Sequence, residues 1–82
     1  MKESNKELDK FDVELGNLLR TWRDDEFHLT LRELDKKIKI PHQTIQAYEA
    51  GRRKVPTKVL KVFCDFFYKD INEVFASMTK YL

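Results

Sequence analysis

The chain has 82 residues and a mass of 9.9 kDa, enough for one small core and too little for two, and 41% hydrophobic residues with two Gly and two Pro describe a compact helical protein rather than a disordered, collagenous or β-rich one. The single Cys64 leaves no intrachain disulfide, the charged N-terminal segment lacks the apolar stretch of a signal peptide, and no apolar run reaches membrane-spanning length, so a soluble, reduced, cytoplasmic protein is expected. The net charge is only +2, but residues 1–26 carry −3, residues 27–62 carry +6 and residues 63–82 carry −1, which leaves a basic middle to face a polyanion between acidic ends.

Apolar periodicity and its punctuation divide the chain into five helical segments, with no internal repeat or low-complexity tract. In the first, Leu8, Phe11, Leu15, Leu18 and Trp22 recur at spacings of three and four, and Leu19 widens the stripe. Ser4 and Glu7 form a capping-box pattern for an early start; the internal Gly16, which costs about 1 kcal/mol against Ala, leaves a start near Asp12 as the alternative. The run Asp24-Asp25-Glu26 ends this helix, because the helix dipole disfavours anions at a C-terminus. Thr30 and Glu33 open a second helix as a capping box, with Leu31, Leu34 and Ile38 on one face. A third begins near Pro41 and runs to Gly51, a left-handed stop, with Ile45 and Tyr48 inward. Beyond the basic loop Gly51–Pro56, a fourth helix opens at Pro56-Thr57 and turns Leu60, Phe63, Cys64 and Phe67 inward. Asp70 with Glu73 caps a fifth, carrying Ile71, Val74, Phe75 and Met78.

Two short helices joined by a tight turn, with positive charge concentrated beside them, point to helix-turn-helix DNA recognition. The stretch from Leu29 to Pro56 resembles the Cro and phage-repressor, or Xre-type, helix-turn-helix family in the order of its features: Thr44-Ile45 inside the third helix, Tyr48-Glu49-Ala50-Gly51 at its end, the Arg/Lys loop and Pro56. Leu19-Arg20 with Trp22-Arg23 resembles the family's first helix, and Leu60, Phe63, Cys64 and Phe67 followed by Asp70–Val74 resemble its last two. The resemblance implies an all-α fold, a five-helix lambda-repressor-like domain. It would be a single domain over 1–82, with a core at about residues 12–75, an N-terminal helical extension and a C-terminal apolar tail.

The same resemblance places His42, Gln43, Thr44, Gln46 and Ala47 on the groove-facing side of a recognition helix. A Gln43 amide can pair bidentately with adenine, while Ala47 and the Thr44 methyl offer apolar contact to a thymine methyl. Arg32, Arg52, Arg53, Lys54 and Lys58 are the candidate phosphate contacts, because a polyanion demands cations beside the reading face. Arg23 and Glu49 stand where the resemblance implies a structural ion pair. Phe66, Phe75, Met78, Tyr81 and Leu82 exceed what one small core buries and are expected to form a dimer or partner surface.

Three features depart from the family pattern. Asp35 takes a position that usually holds Ala where the second and third helices touch, and a carboxylate there must find a helix N-terminus, find Lys36 or Lys39, or hold the helices apart. Lys39 replaces the turn Gly, at a strain of about 1 kcal/mol if the turn is left-handed. The first interhelix loop and the Gly51–Pro56 loop each look one residue longer than the commonest version.

The inventory excludes catalysis: Ser4 and Ser77 lie near the termini, His28 and His42 lack a base-and-nucleophile pattern, and no Gly loop cradles phosphate. One Cys and two separated His do not make a zinc site, Asp24-Asp25-Glu26 lacks a calcium loop's alternation, and no cofactor is expected. The leading expectation is a dimeric, sequence-specific repressor of double-stranded DNA; the competing one is a protein-binding module or antitoxin that holds a toxin or anti-repressor on its C-terminal apolar surface.

Overall fold

The computed structural model describes residues 8–82 and contains five α-helices: α1 (Lys10–Arg20), α2 (Leu31–Ile38), α3 (His42–Glu49), α4 (Thr57–Phe67) and α5 (Ile71–Met78). α1 begins between the two starts that the sequence allowed, with the Asp9 carboxylate accepting the Phe11 N–H at 2.8 Å. Ser4 and Glu7 lie outside the described residues, and Leu8 precedes the helix and is exposed rather than part of its buried stripe. Leu15, Leu19 and Trp22 form that stripe. Beyond Arg20 the helix continues through Thr21–Glu26 in wider π winding, in which Phe27 N–H bonds Trp22 C=O at 3.1 Å. This winding closes each hydrogen-bonded ring over one residue more than an α turn does.

The Thr30–Glu33 capping box forms in both directions, at 2.8 and 3.1 Å, and these hydrogen bonds hold the Glu33 carboxyl below its usual pKa. α2 stops at Lys39, which adopts the left-handed conformation at φ 64° and ψ 36° and returns its N–H to Asp35 C=O. Lys39–Pro41 then turns the chain into α3, and Pro56 into α4. Asp70 caps α5 through the Asn72 N–H at 2.8 Å, without the reciprocal Glu73 bond that a capping box requires. A single 3₁₀ turn, Thr79–Tyr81, follows α5.

The core is Leu15, Leu19, Trp22, Leu34, Ile45, Tyr48, Leu60, Phe63, Cys64, Phe67, Val74 and Met78. Phe27 and Phe66 join it, each packed edge-to-face on Phe67 with ring centroids 4.9 Å apart. Cys64 is fully buried and its thiol is pushed up in pKa by that burial, so it is inert packing. Among the described residues no helix is long and apolar enough to cross a membrane.

Both glycines of the chain serve the contact between α1 and α3. A Cβ on Gly16 would land 2.5 Å from the Glu49 carbonyl oxygen and closer still to that of Tyr48, so only glycine lets the end of α3 lie on α1. Gly51, at φ 76°, would bring a Cβ to 2.8 Å from the Val13 Cα. No glycine remains for the other three left-handed positions, where His28, Lys39 and Tyr68 carry full side chains. Replacement Lys39→Gly is expected to stabilise the fold by about 1 kcal/mol, and Gly16→Ala to destabilise it by more than that, both read by thermal or urea unfolding.

Candidate nucleic-acid interface

α3 divides its side chains between two faces. Ile45, Tyr48 and Glu49 are buried, while Gln43 and Gln46 are exposed and Ala47 is half-buried. The spacing of three and four residues along 43, 46, 47 and 50 puts Gln43, Gln46, Ala47 and Ala50 on one outward face. Three of the candidate base-contacting residues therefore share a surface. Thr44 and His42 flank it, both half-buried, and His42 is turned back toward α2.

That turn answers the question posed by Asp35. Pro41 offers α3 no side-chain cap, and the Asp35 carboxylate supplies one from α2: its Oδ2 accepts the His42 backbone N–H at 2.9 Å. The helix N-terminus is thus the outlet taken among those that the sequence left open, and the negative charge meets the positive end of the α3 dipole.

The far end of α3 is held by Arg23. Its Nε donates to Glu49 Oε2 at 2.7 Å, its Nη2 to Glu49 Oε1 at 3.0 Å and its Nη1 to the Leu29 carbonyl at 2.6 Å. The two side chains are 10% and 7% exposed, so this is the expected ion pair in a nearly dry setting, bidentate and further satisfied by backbone. Donation to the Glu49 carboxylate holds the Arg23 guanidinium above its ordinary pKa. One arginine thereby links the π turn, the loop before α2 and the end of the outward-facing helix.

The basic candidates separate on the structure. Arg32, Arg52, Arg53 and Lys58 are exposed. The Arg53 guanidinium lies over the Tyr48 ring at 5.9 Å, which steadies it beside α3. Lys54, also exposed, reaches α1, with Nζ 2.9 Å from Asp12 Oδ2 and 3.9 Å from Asp9 Oδ2, and so tethers the loop. The Asp12 contact raises its pKa. Arg20, which the sequence placed in the first helix but not among the candidate contacts because its segment is acidic, lines one shallow depression with Gln46, Leu31 and Ala50 and adds a cation beside the outward face. Of the acidic run, Glu26 is paired with Lys69 at 2.8 Å, while Asp24 and Asp25 are exposed.

The expected apolar surface shrinks. Met78 is 4% exposed and belongs to the core, because its place on α5 beside Val74 faces inward. Phe66 is half-buried against Phe27 and Phe67, and Tyr81 is half-buried against the core. Phe75 and Leu82 remain open, at 39% and 88%, and Val62 and Tyr68 are further exposed apolar side chains that periodicity alone did not single out.

A helix-turn-helix family model matches residues 19–74, more than half of the chain, and spans α2, α3 and the basic loop. The chain belongs to the helix-turn-helix family. Its type is that of the Xre and Cro regulators, DNA-binding proteins rather than enzymes. Among solved structures, this helix-turn-helix chain is similar in fold to the clp gene regulator ClgR from C. glutamicum, with a TM-score of 0.74 and 24% identity over 92% of this chain and 95% of that one. No curated protein matches its sequence.

Because Arg23 and Glu49 are buried together, removing one strands the other. Glu49→Ala is expected to cost roughly 3–5 kcal/mol in chemical denaturation, whereas the double replacement by Met at 23 and Leu at 49 costs far less.

Proposed function

We propose that the protein is a single-domain, sequence-specific transcriptional repressor that binds its operator as a dimer with α3 in the major groove. The observation that carries this reading is the outward face of α3, where Gln43, Gln46 and Ala47 project with Arg20 beside Gln46, and with Arg52 and Arg53 exposed just past the end of the helix. Amide side chains at such a surface match the paired donor and acceptor of adenine in the major groove, and the neighbouring arginines match phosphate. Arg32 and Lys58 are exposed on the first turns of α2 and α4, where a helix N-terminus also favours phosphate. Two copies would address half-sites about 34 Å apart on one face of the duplex. The exposed Phe75 and Leu82 support a contact between copies at the C-terminal end.

Titration onto duplex from the gene's own upstream region and onto scrambled duplex, at two salt concentrations, tests the reading. Salt-sensitive, selective binding is expected, and absence of binding at low salt would overturn it in favour of a protein-holding role for the C-terminal surface. Gln43→Ala should cost about 1–3 kcal/mol on operator and almost nothing on scrambled DNA. Arg53→Ala should weaken both equally and lower the salt slope by about one. Sedimentation equilibrium of a Phe75→Glu and Leu82→Glu variant should return a monomer where the parent chain is a dimer.

A further inference from the structure

The lysines of the chain divide by what they touch. Lys10, Lys54, Lys61 and Lys69 each hold a carboxylate, at distances of 2.8 to 3.5 Å. On α2 and the turn after it, Arg32, Lys36, Lys37 and Lys39 are all exposed and, among the described residues, make no ion pair. Both carboxylates of α2 are turned to backbone N–H groups instead, Glu33 to Thr30 and Asp35 to His42.

The placement of these cations follows from Asp35. Its carboxylate reaches the His42 N–H at 2.9 Å, so it marks the side of α2 that meets the start of α3. At about 100° per residue, Arg32 and Lys36 share the flank next to Asp35, and Lys37 falls on the opposite flank. Lys39 continues the first flank into the turn, three residues before His42. Arg32, Lys36 and Lys39 therefore run beside the leading end of α3, whereas Arg20, Arg52 and Arg53 stand toward its trailing end. Lys39 is also strained, at φ 64° and ψ 36°, a region that penalises a Cβ and that glycine enters freely. The hydrogen bond that ends α2, from Lys39 N–H to Asp35 C=O, is a backbone bond that any side chain but proline would permit.

We propose that Lys36 and Lys39 hold a DNA phosphate strand at the leading end of α3, so that the helix is braced against the backbone at both ends. This rests on the DNA-binding reading above and adds to it a second line of phosphate contacts. A helix in the major groove has a phosphate strand on either side of it, and cations at its trailing end answer to only one of them. Lysine suits the other, because a point charge on a flexible stem reaches a phosphate from a turn that stays outside the groove. The left-handed strain at Lys39 is then tied to function: glycine would relieve the backbone and remove the cation together. Stability and binding pull in opposite directions at this one residue.

The experiment is fluorescence anisotropy of the intact chain on random-sequence duplex, from about 50 to 200 mM salt, with the Tm of every variant measured alongside. Lys39→Gly and Lys39→Asn are expected to raise Tm, and each should lower the salt slope by about 0.9 per bound copy. Their loss of affinity per copy is accordingly about three- to fourfold larger at the low-salt end than at the high-salt end. Lys36→Gln should lower the slope by the same amount and leave Tm where it was. Lys39→Arg, which keeps the charge and the strain, should keep the parent's slope, and Lys37→Gln, on the far flank, should leave it almost unmoved. An unchanged slope in Lys36→Gln or in either neutral Lys39 variant would overturn the inference while leaving DNA binding intact. So would a loss in Lys37→Gln equal to that in Lys36→Gln, since diffuse charge would then account for both. Absence of binding by the parent chain at the lowest salt would instead overturn the DNA-binding reading, and this inference with it.

Discussion

The orientation of α3 depends on a seam along α1 in which nothing is spare. Arg23 grips Glu49 with two hydrogen bonds and the Leu29 carbonyl with a third, and it does so with both side chains almost wholly removed from water. Such a pair adds little net stability against an apolar equivalent of the same volume, because desolvation offsets most of the attraction. What it supplies is direction. A bidentate guanidinium accepts one geometry, and the helix that ends in Glu49 must arrive where that geometry allows. Gly16 permits the approach, Gly51 redirects the chain immediately afterward, and Lys54 fastens the departing loop to Asp12.

From that seam outward, each element has a clear dependence. The core side of α3 is fixed by Ile45 and Tyr48, so its opposite side must face solvent, and Arg53 is steadied on the Tyr48 ring at the rim. α2 is held at its start by the Thr30–Glu33 box and at its end by its link through Asp35 to the start of α3. The outward face is thus supported at both ends of α3, by Asp35 at the N-terminus and Arg23 at the C-terminus, without any of its own side chains being needed for the support.

Much of this was legible in the sequence wherever the cause is local. Capping at Thr30, the breaks at Pro41, Gly51 and Pro56, and the inward sets on α3 and α4 follow from neighbours within one helical turn, and the structure keeps them. The Arg23–Glu49 pair was readable only through family resemblance, since nothing near either residue announces a partner so far along the chain. Four features were hidden for the same reason. Gly16 read as a weakness in a helix until the carbonyls of α3 were seen against it, and Lys54 read as a free cation until Asp12 came beside it. Met78 read as surplus apolar surface because periodicity gives a helix face but not what packs on it. The π winding of Thr21–Glu26 has no composition of its own, and the burial of Trp22 and Arg23 within it depends on distant parts of the chain.

The independence of the outward face from its supports has an evolutionary consequence. Gln43 and Gln46 are exposed, and the scaffold that aims them is built from other residues. Substitution there is close to neutral for folding, so drift can explore many side chains at these two positions without crossing the stability threshold. Change at Gly16, Arg23 or Glu49 enjoys no such freedom. A lineage carrying this chain would therefore be expected to diversify in what the helix touches while remaining nearly frozen in how the helix is held.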